Sequence, residues 1–175
     1  MPIKLIILDR DGVLNEYRTD YVKSMSEFQW IDGSQSALRR LLKYYSVEIA
    51  SNQSAVGRGI ISLKQLQLID DYIYLSAGIC RSQLIINYCM HTPAENCECR
   101  KPRPGLINAI LKRKNILPAE TIFIGDNETD FEAAKAAQVN FAYVKTGLGT
   151  CFLSESNAPF FDDLSAFAEF ACQGL

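Results

Sequence analysis

The chain has one histidine among its 175 residues, one tryptophan, three methionines and no excess of positive charge. No apolar stretch approaches the ~18 residues that cross a bilayer, which argues against a membrane-spanning helix. Lysine and arginine number 18 against 20 aspartates and glutamates, a net charge of −2, so no field exists for sequence-independent binding of nucleic acid. The one basic cluster, Lys112-Arg113-Lys114, is short and reads as the cationic last turn of a helix. Repeats, low-complexity tracts and linkers are also missing. The apolar run near the N-terminus is short, is broken by Asp9 and has no small-residue cleavage site, so it reads as a core strand and not a signal peptide. These absences lead to the expectation of a cytoplasmic monomer folded as one domain over residues 1–175, with neither membrane nor nucleic acid as partner.

Apolar runs alternate with helical patterns. Ile3 to Leu8, Val47 to Ala50, Leu84 to Tyr88, Thr121 to Ile124 and Val139 to Val144 read as buried strands. Between them lie a helix from Ser34, one opened by the capping-box pattern Ser62-x-x-Gln65, one near Pro104, and one from Glu128 to about Ala137. A short strand and helix follow Pro159. Strands separated by helices predict an α/β fold, a Rossmann-like, mostly parallel sheet with helices on both faces. The segment from Asn52 to Leu84 has room for one helix, so no separate cap domain is expected.

In such sheets ligands bind beyond the carboxyl ends of the strands. Four polar clusters fall at those ends: Asp9/Asp11, Ser51-Asn52-Gln53-Ser54, a Cys/His loop from Cys89, and Asp126. In an extended strand Asp9 and Asp11 share a face while Arg10 points elsewhere, and Gly12 lets the chain turn. Alone, Asp-x-Asp also suits a solvated strand end, and Asp126 also suits a helix N-cap. Together the clusters suit phosphoryl transfer. Asp9 and Asp126 are hard ligands for Mg²⁺, Ser51 and the backbone after it offer donors to phosphate oxygens, and Lys101 supplies compensating charge. Asp9 then serves as nucleophile, and Asp11 protonates the leaving alcohol and activates water.

Cys89-x-His91 followed by Cys97-x-Cys99 is a compact set of three thiolates and one imidazole. It suits tetrahedral Zn²⁺ with no open position, a structural ion folding a loop that has no regular structure of its own. The loop runs into Arg100-Lys101 and so positions that lysine and walls the site. Cys80, Cys151 and Cys172 lack such company and read as core or surface thiols.

With these residues in order, the chain resembles the haloacid-dehalogenase (HAD) phosphatase superfamily. Asp9-x-Asp11-Gly12 matches its first motif, Ser51 the second, Lys101 the third and Gly125-Asp126-x-x-x-Asp130 the fourth. The resemblance implies Mg²⁺ on Asp9, the backbone carbonyl of Asp11, and Asp126, with Asp130 as an orienting residue. Two families within it combine these motifs with a Cys-x-His…Cys-x-Cys loop: heptose-1,7-bisphosphate 7-phosphatases and histidinol-phosphatases. The run from Asn52 to Gly59 is similar to the heptose family's segment, as are Phe28-Gln29-Trp30-Ile31-Asp32-Gly33 and Arg100-Lys101-Pro102-Arg103-Pro104-Gly105.

The departures are Ala55 in place of a glycine, Asn127 where some heptose enzymes have lysine, and a short zinc loop as in histidinol-phosphatases. The heptose resemblance implies substrate contacts by Tyr21, Ser51, Asn52, Gln53, Ser54, Arg58, Arg100 and Asn127. A sugar bisphosphate would also explain Arg58 or Arg100 as the partner of a distal phosphate. Histidinol phosphate is the alternative, for which Glu95 and Glu98 would form an acidic rim. A non-catalytic zinc-stabilised binding module would be expected to lack one of Asp9, Asp11, Lys101 or Asp126, and all four are present.

Overall fold

A computed structural model describes residues 2–148 and 158–174. The strands are β1 (Leu5–Leu8), β2 (Ser46–Asn52), β3 (Leu84–Cys89), β4 (Thr121–Gly125), β5 (Asn140–Val144) and β6 (Phe160–Phe161). The helices are α1 (Ser34–Tyr44), α2 (Ser54–Gly57), α3 (Leu63–Ala77), α4 (Gly105–Lys114), α5 (Glu128–Ala136) and α6 (Leu164–Ala171). All described strand pairings are parallel, in the order β3-β2-β1-β4-β5-β6. The expected α/β architecture is therefore present. The chain starts in the middle of the sheet, builds outward through β2 and β3, then crosses back to β4. That reversal beside β1 opens a crevice at the carboxyl edge.

β1 explains why the sheet is covered on both faces. Its four residues are fully buried. Ile6 and Leu8 pack with Leu38 and Leu41 of α1 and Phe167 of α6, whereas Leu5 and Ile7 pack with Ile107 and Ile110 of α4 and Ala133 of α5. Side-chain alternation along one strand thus feeds two cores. α3 opens on the expected capping box: Gln65 N–H donates to Ser62 Oγ at 3.2 Å, and Ser62 N–H to Gln65 Oε1 at 2.8 Å. Between β2 and β3 lie only α2 and α3, so no cap domain is inserted there. No helix among the described residues is long and apolar enough to cross a membrane.

The basic cluster does end α4, but it has a further task. Arg113 and Lys114 both pair with Glu48, which is fully buried on β2, the lysine at 3.3 Å. A carboxylate sealed in the sheet without cations would cost several kcal/mol. Cys172 is buried and Cys80 exposed, as free thiols, while Cys151 lies outside the described residues.

Register aligns the functional edge. Leu8 lies level with Ile49 on one side and Ile124 on the other. Asp9 N–H donates to Ile124 O at 2.9 Å, so the two acidic motifs leave the sheet side by side. On the other flank Asn52 lies level with Cys89, which brings the Cys/His loop to the same edge.

Candidate active site

Four side chains from three distant segments meet at the floor of this crevice. Lys101 Nζ is 2.9 Å from Asp9 Oδ1 and 2.6 Å from Asp130 Oδ1. Carboxylate oxygens of Asp9, Asp126 and Asp130 lie within 4.8 Å of one another, and all four residues are buried. Burial is the main cause lifting Asp9 to about 7 and Asp126 to about 6, reinforced by the neighbouring carboxylates and opposed by Lys101. Burial alone would lower Lys101, yet Asp130 and Asp9 outweigh it and hold the ammonium above its ordinary value. Three buried carboxylates against one ammonium leave uncompensated negative charge in a set of hard oxygens. That donor set fits a divalent cation of the magnesium type.

Asp126 is not the N-cap of α5. The next residue, Asn127, takes that position, its Oδ1 accepting from Asp130 N–H at 3.3 Å. Asp126 is thus free to face the site. Asn127 Nδ2 donates to its Oδ1 at 3.1 Å and Leu148 N–H to its Oδ2 at 2.8 Å. Two glycines permit this packing. A Cβ on Gly12, whose φ is +89°, would sit 2.5 Å from Asp126 Oδ2, and one on Gly147 would collide with the same atom. Asp130 accepts Asp126 N–H at 3.2 Å while holding Lys101, which is an orienting arrangement.

Asp11 stands beside this group, but Arg10 does not point away as strand alternation predicts. The strand stops at Leu8, and the Arg10 carbonyl accepts from the N–H groups of Val13, Leu14 and Asn15, which makes a tight turn. The guanidinium folds back onto Asp11, Nη2 lying 3.0 Å from Oδ1 and 3.1 Å from Oδ2. Burial would raise Asp11, but the Arg10 charge and hydrogen bonds from Asn15, Arg10 and Gln53 together hold it below the usual carboxylate range.

A crevice of about 470 Å³ collects the other expected residues: Tyr21, Ser51, Asn52, Gln53, Ser54, Arg58, Arg100 and Asn127 all line it, with Asp9, Asp11, Lys101 and Asp130. Besides Asn127, two of these side chains hold the reacting groups in place. Asn52 clamps the Lys101 peptide, Nδ2 donating to Lys101 O at 3.0 Å and Oδ1 accepting Lys101 N–H at 3.1 Å. Gln53 Nε2 donates to Asp11 Oδ2 at 2.6 Å and to Ser51 Oγ at 3.1 Å. Arg18 also lines the crevice, and no motif singles it out in the sequence. Glu95 and Glu98 do not line it. Glu95 is turned into the Thr92 capping box, and Glu98 pairs with Arg103 at 3.0 Å.

Cys89, His91, Cys97 and Cys99 converge beside the crevice. Their sulfurs are 3.4–3.5 Å apart, and His91 Nδ1 is 3.6 Å from Cys89 Sγ and 3.3 Å from Cys99 Sγ. Disulfides need ~2.05 Å, so these are not bonded sulfurs. Tetrahedral Zn²⁺ with bonds of ~2.0–2.3 Å sets its ligand atoms roughly 3.5–3.8 Å apart, which this cluster fits. Arg103 Nη1 braces the loop, donating to the carbonyls of Asn96 at 2.5 Å and Cys97 at 3.1 Å.

Residues 4–144 match the model of the haloacid dehalogenase-like hydrolase family, and the chain belongs to that family of enzymes. Among its relatives is D-glycero-beta-D-manno-heptose-1,7-bisphosphate 7-phosphatase of Neisseria meningitidis serogroup A, 37% identical over 98% of this chain and 96% of the relative. The protein of the same name from Pseudomonas putida is 38% identical over 95% of this chain and 98% of its own. The crystal structure of D,D-heptose 1,7-bisphosphate phosphatase from B. bronchiseptica, complexed with magnesium and phosphate, gives a TM-score of 0.91 at 33% identity. It covers 99% of this chain and 100% of that one.

Proposed function

We propose that this phosphoric monoester hydrolase removes the 7-phosphate of D-glycero-D-manno-heptose 1,7-bisphosphate through an aspartyl-phosphate on Asp9. The observation that carries the reading is the Asp9–Lys101 contact at 2.9 Å in a crevice also lined by Arg18, Arg58 and Arg100. One phosphate fits at the lysine. A second, distal phosphate fits the arginines, Arg58 and Arg100 first among them. The named relatives support the same substrate.

Asp9, Asp126 and the backbone carbonyl of Asp11 would hold Mg²⁺, which supplies neutralising charge when bound. Asp9 attacks phosphorus in line with the departing alkoxide, and Lys101 with the donors of Ser51 to Ser54 steadies the equatorial oxygens. Asp11 gives its proton to the alkoxide and then takes one from the water that cleaves the acyl phosphate. Asp130 holds Lys101 in place. Tyr21, Ser54 and Asn127 contact the sugar and its phosphates, while the Asn52 and Gln53 side chains hold Lys101 and Asp11. Zn²⁺ on Cys89, His91, Cys97 and Cys99 fixes the loop that delivers Arg100 and Lys101.

The chain works as a single-domain cytoplasmic monomer on a small phosphorylated sugar, with neither membrane nor nucleic acid as partner. Three cysteines grouped with His91 as metal ligands and not as disulfides support a reducing compartment. The test is kcat/KM for the heptose bisphosphate and for histidinol phosphate, with Mg²⁺, on one preparation. A preference of at least ~100-fold for the bisphosphate is expected from the paired arginines. The reverse preference would assign the chain to histidinol phosphate, although Glu95 and Glu98 do not supply the acidic rim that substrate would favour.

A further inference from the structure

Arg10 is among the largest fully buried side chains among the described residues, at 1% exposed, an unusual place for a guanidinium. Its Nε and Nη1 are buried without a well-formed hydrogen bond, its ion pair is with Asp11, and the Tyr88 hydroxyl is its other polar neighbour. A buried guanidinium with unpaired donors is costly, and an apolar side chain of similar size there is often neutral or stabilising.

The carboxylate of Asp11 is saturated. Oδ1 accepts from Arg10 Nη2 at 3.0 Å and Asn15 Nδ2 at 2.9 Å; Oδ2 accepts from Arg10 Nη2 at 3.1 Å and Gln53 Nε2 at 2.6 Å. Two oxygens offer about four lone-pair positions, so a proton on Asp11 must displace one donor. The donors differ in what they lose. Asn15 is fully buried and tied to Glu16 O at 2.9 Å, so it cannot follow the carboxyl. Gln53 lines the crevice and keeps Ser51 Oγ as a partner when it releases Oδ2.

We propose that Arg10 is a positioning residue for the acid–base step. Resting on the phosphatase reading above, Arg10 and Asn15 grip Oδ1, Gln53 is the exchangeable donor, and Asp11 carries its proton on Oδ2. As Asp9 forms its bond to phosphorus, the bond from phosphorus to the leaving oxygen breaks and that oxygen takes the electron pair. It then receives the Oδ2 proton and departs as alcohol. The attacking water returns a proton to Oδ2 as the bond between phosphorus and Asp9 breaks, and phosphate is released with Asp9 again a carboxylate and Asp11 again protonated.

First-turnover rates with two leaving groups separate this role from a structural one. A sugar alkoxide needs the proton, whereas p-nitrophenolate departs without it. Arg10→Met is expected to slow the first turnover of the heptose bisphosphate by on the order of 100-fold and that of p-nitrophenyl phosphate by less than ~5-fold. In an Asp11→Asn background it should add no further loss on the sugar substrate. The variant's melting temperature should equal or exceed that of wild type. Arg10→Lys, which keeps charge but not the two-oxygen grip, should restore part of the lost rate, and it carries the same comparison if Arg10→Met does not fold. Equal losses on both substrates, or none, would overturn the proposal. A wild-type enzyme that releases no phosphate from either substrate would instead overturn the phosphatase reading itself.

Discussion

The carboxylate centre and the cysteine cluster lie a few residues apart at one sheet edge, yet they are built by opposite means. Asp9, Lys101, Asp126 and Asp130 come from three segments spread over 122 positions and are brought together by strand register and the first turn of α5. Their geometry exists before any ligand arrives. Cys89 ends β3, and His91, Cys97 and Cys99 follow within ten residues in a loop whose only regular piece is the short turn Pro93–Glu95. That loop is held by Arg103, a capping box and its own thiols. The sheet makes an expensive arrangement of charge possible, because neighbouring strands bear the cost. Beyond Cys89 the loop has no such support, and the Zn²⁺ proposed for its ligands would supply it. The two meet at Lys101, whose peptide is clamped by Asn52 at the end of β2 and whose chain leaves directly from Cys99.

The sharpest division between them comes from Asp9→Asn. Turnover should fall by roughly 10⁴-fold or more, since the nucleophile is gone. The fold should not suffer. Asp9 is a carboxylate whose burial disfavours its charge, and Lys101 retains Asp130 as partner. Thermal denaturation of the metal-free variant at pH 8 should match or exceed wild type, and a large drop would mean that the sheet edge is not preorganised. Cys97→Ser should do both kinds of damage. Zinc content by metal analysis should fall well below one per chain, the melting temperature should drop, and kcat/KM should decline by ~100-fold through a displaced Lys101. Cys80→Ser, in an exposed thiol outside the cluster, is the matched control and should change none of these. Full zinc occupancy in Cys97→Ser would break the contrast.

Between these sits a pH effect confined to the sheet-built site. Asp9 at about 7 and Asp126 at about 6 lie above their unfolded value of 3.8. The metal-free folded state therefore keeps protons that the unfolded chain has released. Their contribution to stability is complete below about pH 4 and is lost as the pH rises through 6 to 7. Mg²⁺ competes with those protons, so its stabilisation should run the other way. A hundredfold excess over Kd should raise the melting temperature by on the order of 5–10 °C at pH 8, and by much less at pH 5. A magnesium shift of equal size at both pH values would show that these carboxylates do not hold the ion.

The sequence foretold the two sites unequally. Strands were legible because buried parallel strands are continuous apolar runs, and the motifs at their ends needed only the topology to converge. The grouping of the Cys/His loop was legible because its spacing is local. Arg10 was not, because alternation holds only inside a strand, and β1 ends one residue before Asp9. Asp126 could not be told from a cap until the structure placed Asn127 in that position, a difference of one residue. Glu48 with Arg113 and Lys114 was invisible for another reason. Their pairing depends on which helix lies over β2, a fact of packing that no local pattern carries. Arg18 gave no signal at all, since nothing in its loop fixes a direction.

The smallest expected effect falls where the two regions join. Asn52 makes two hydrogen bonds to the Lys101 peptide, one to each side of the residue, and among the described residues its side chain makes no others. Asn52→Ala removes both and leaves Lys101 N–H and C=O to find other partners at a half-buried site. A loss of about 1–3 kcal/mol in stability is the ordinary scale for such a change. The ammonium remains held by Asp9 and Asp130, so kcat should fall by no more than ~10-fold, with zinc content intact. If zinc is lost as well, Asn52 supports the loop as much as the lysine, and the two sites are one cooperative unit. If neither stability nor rate changes, the zinc loop alone positions Lys101. The sheet's part in placing it would then end at the carboxylates.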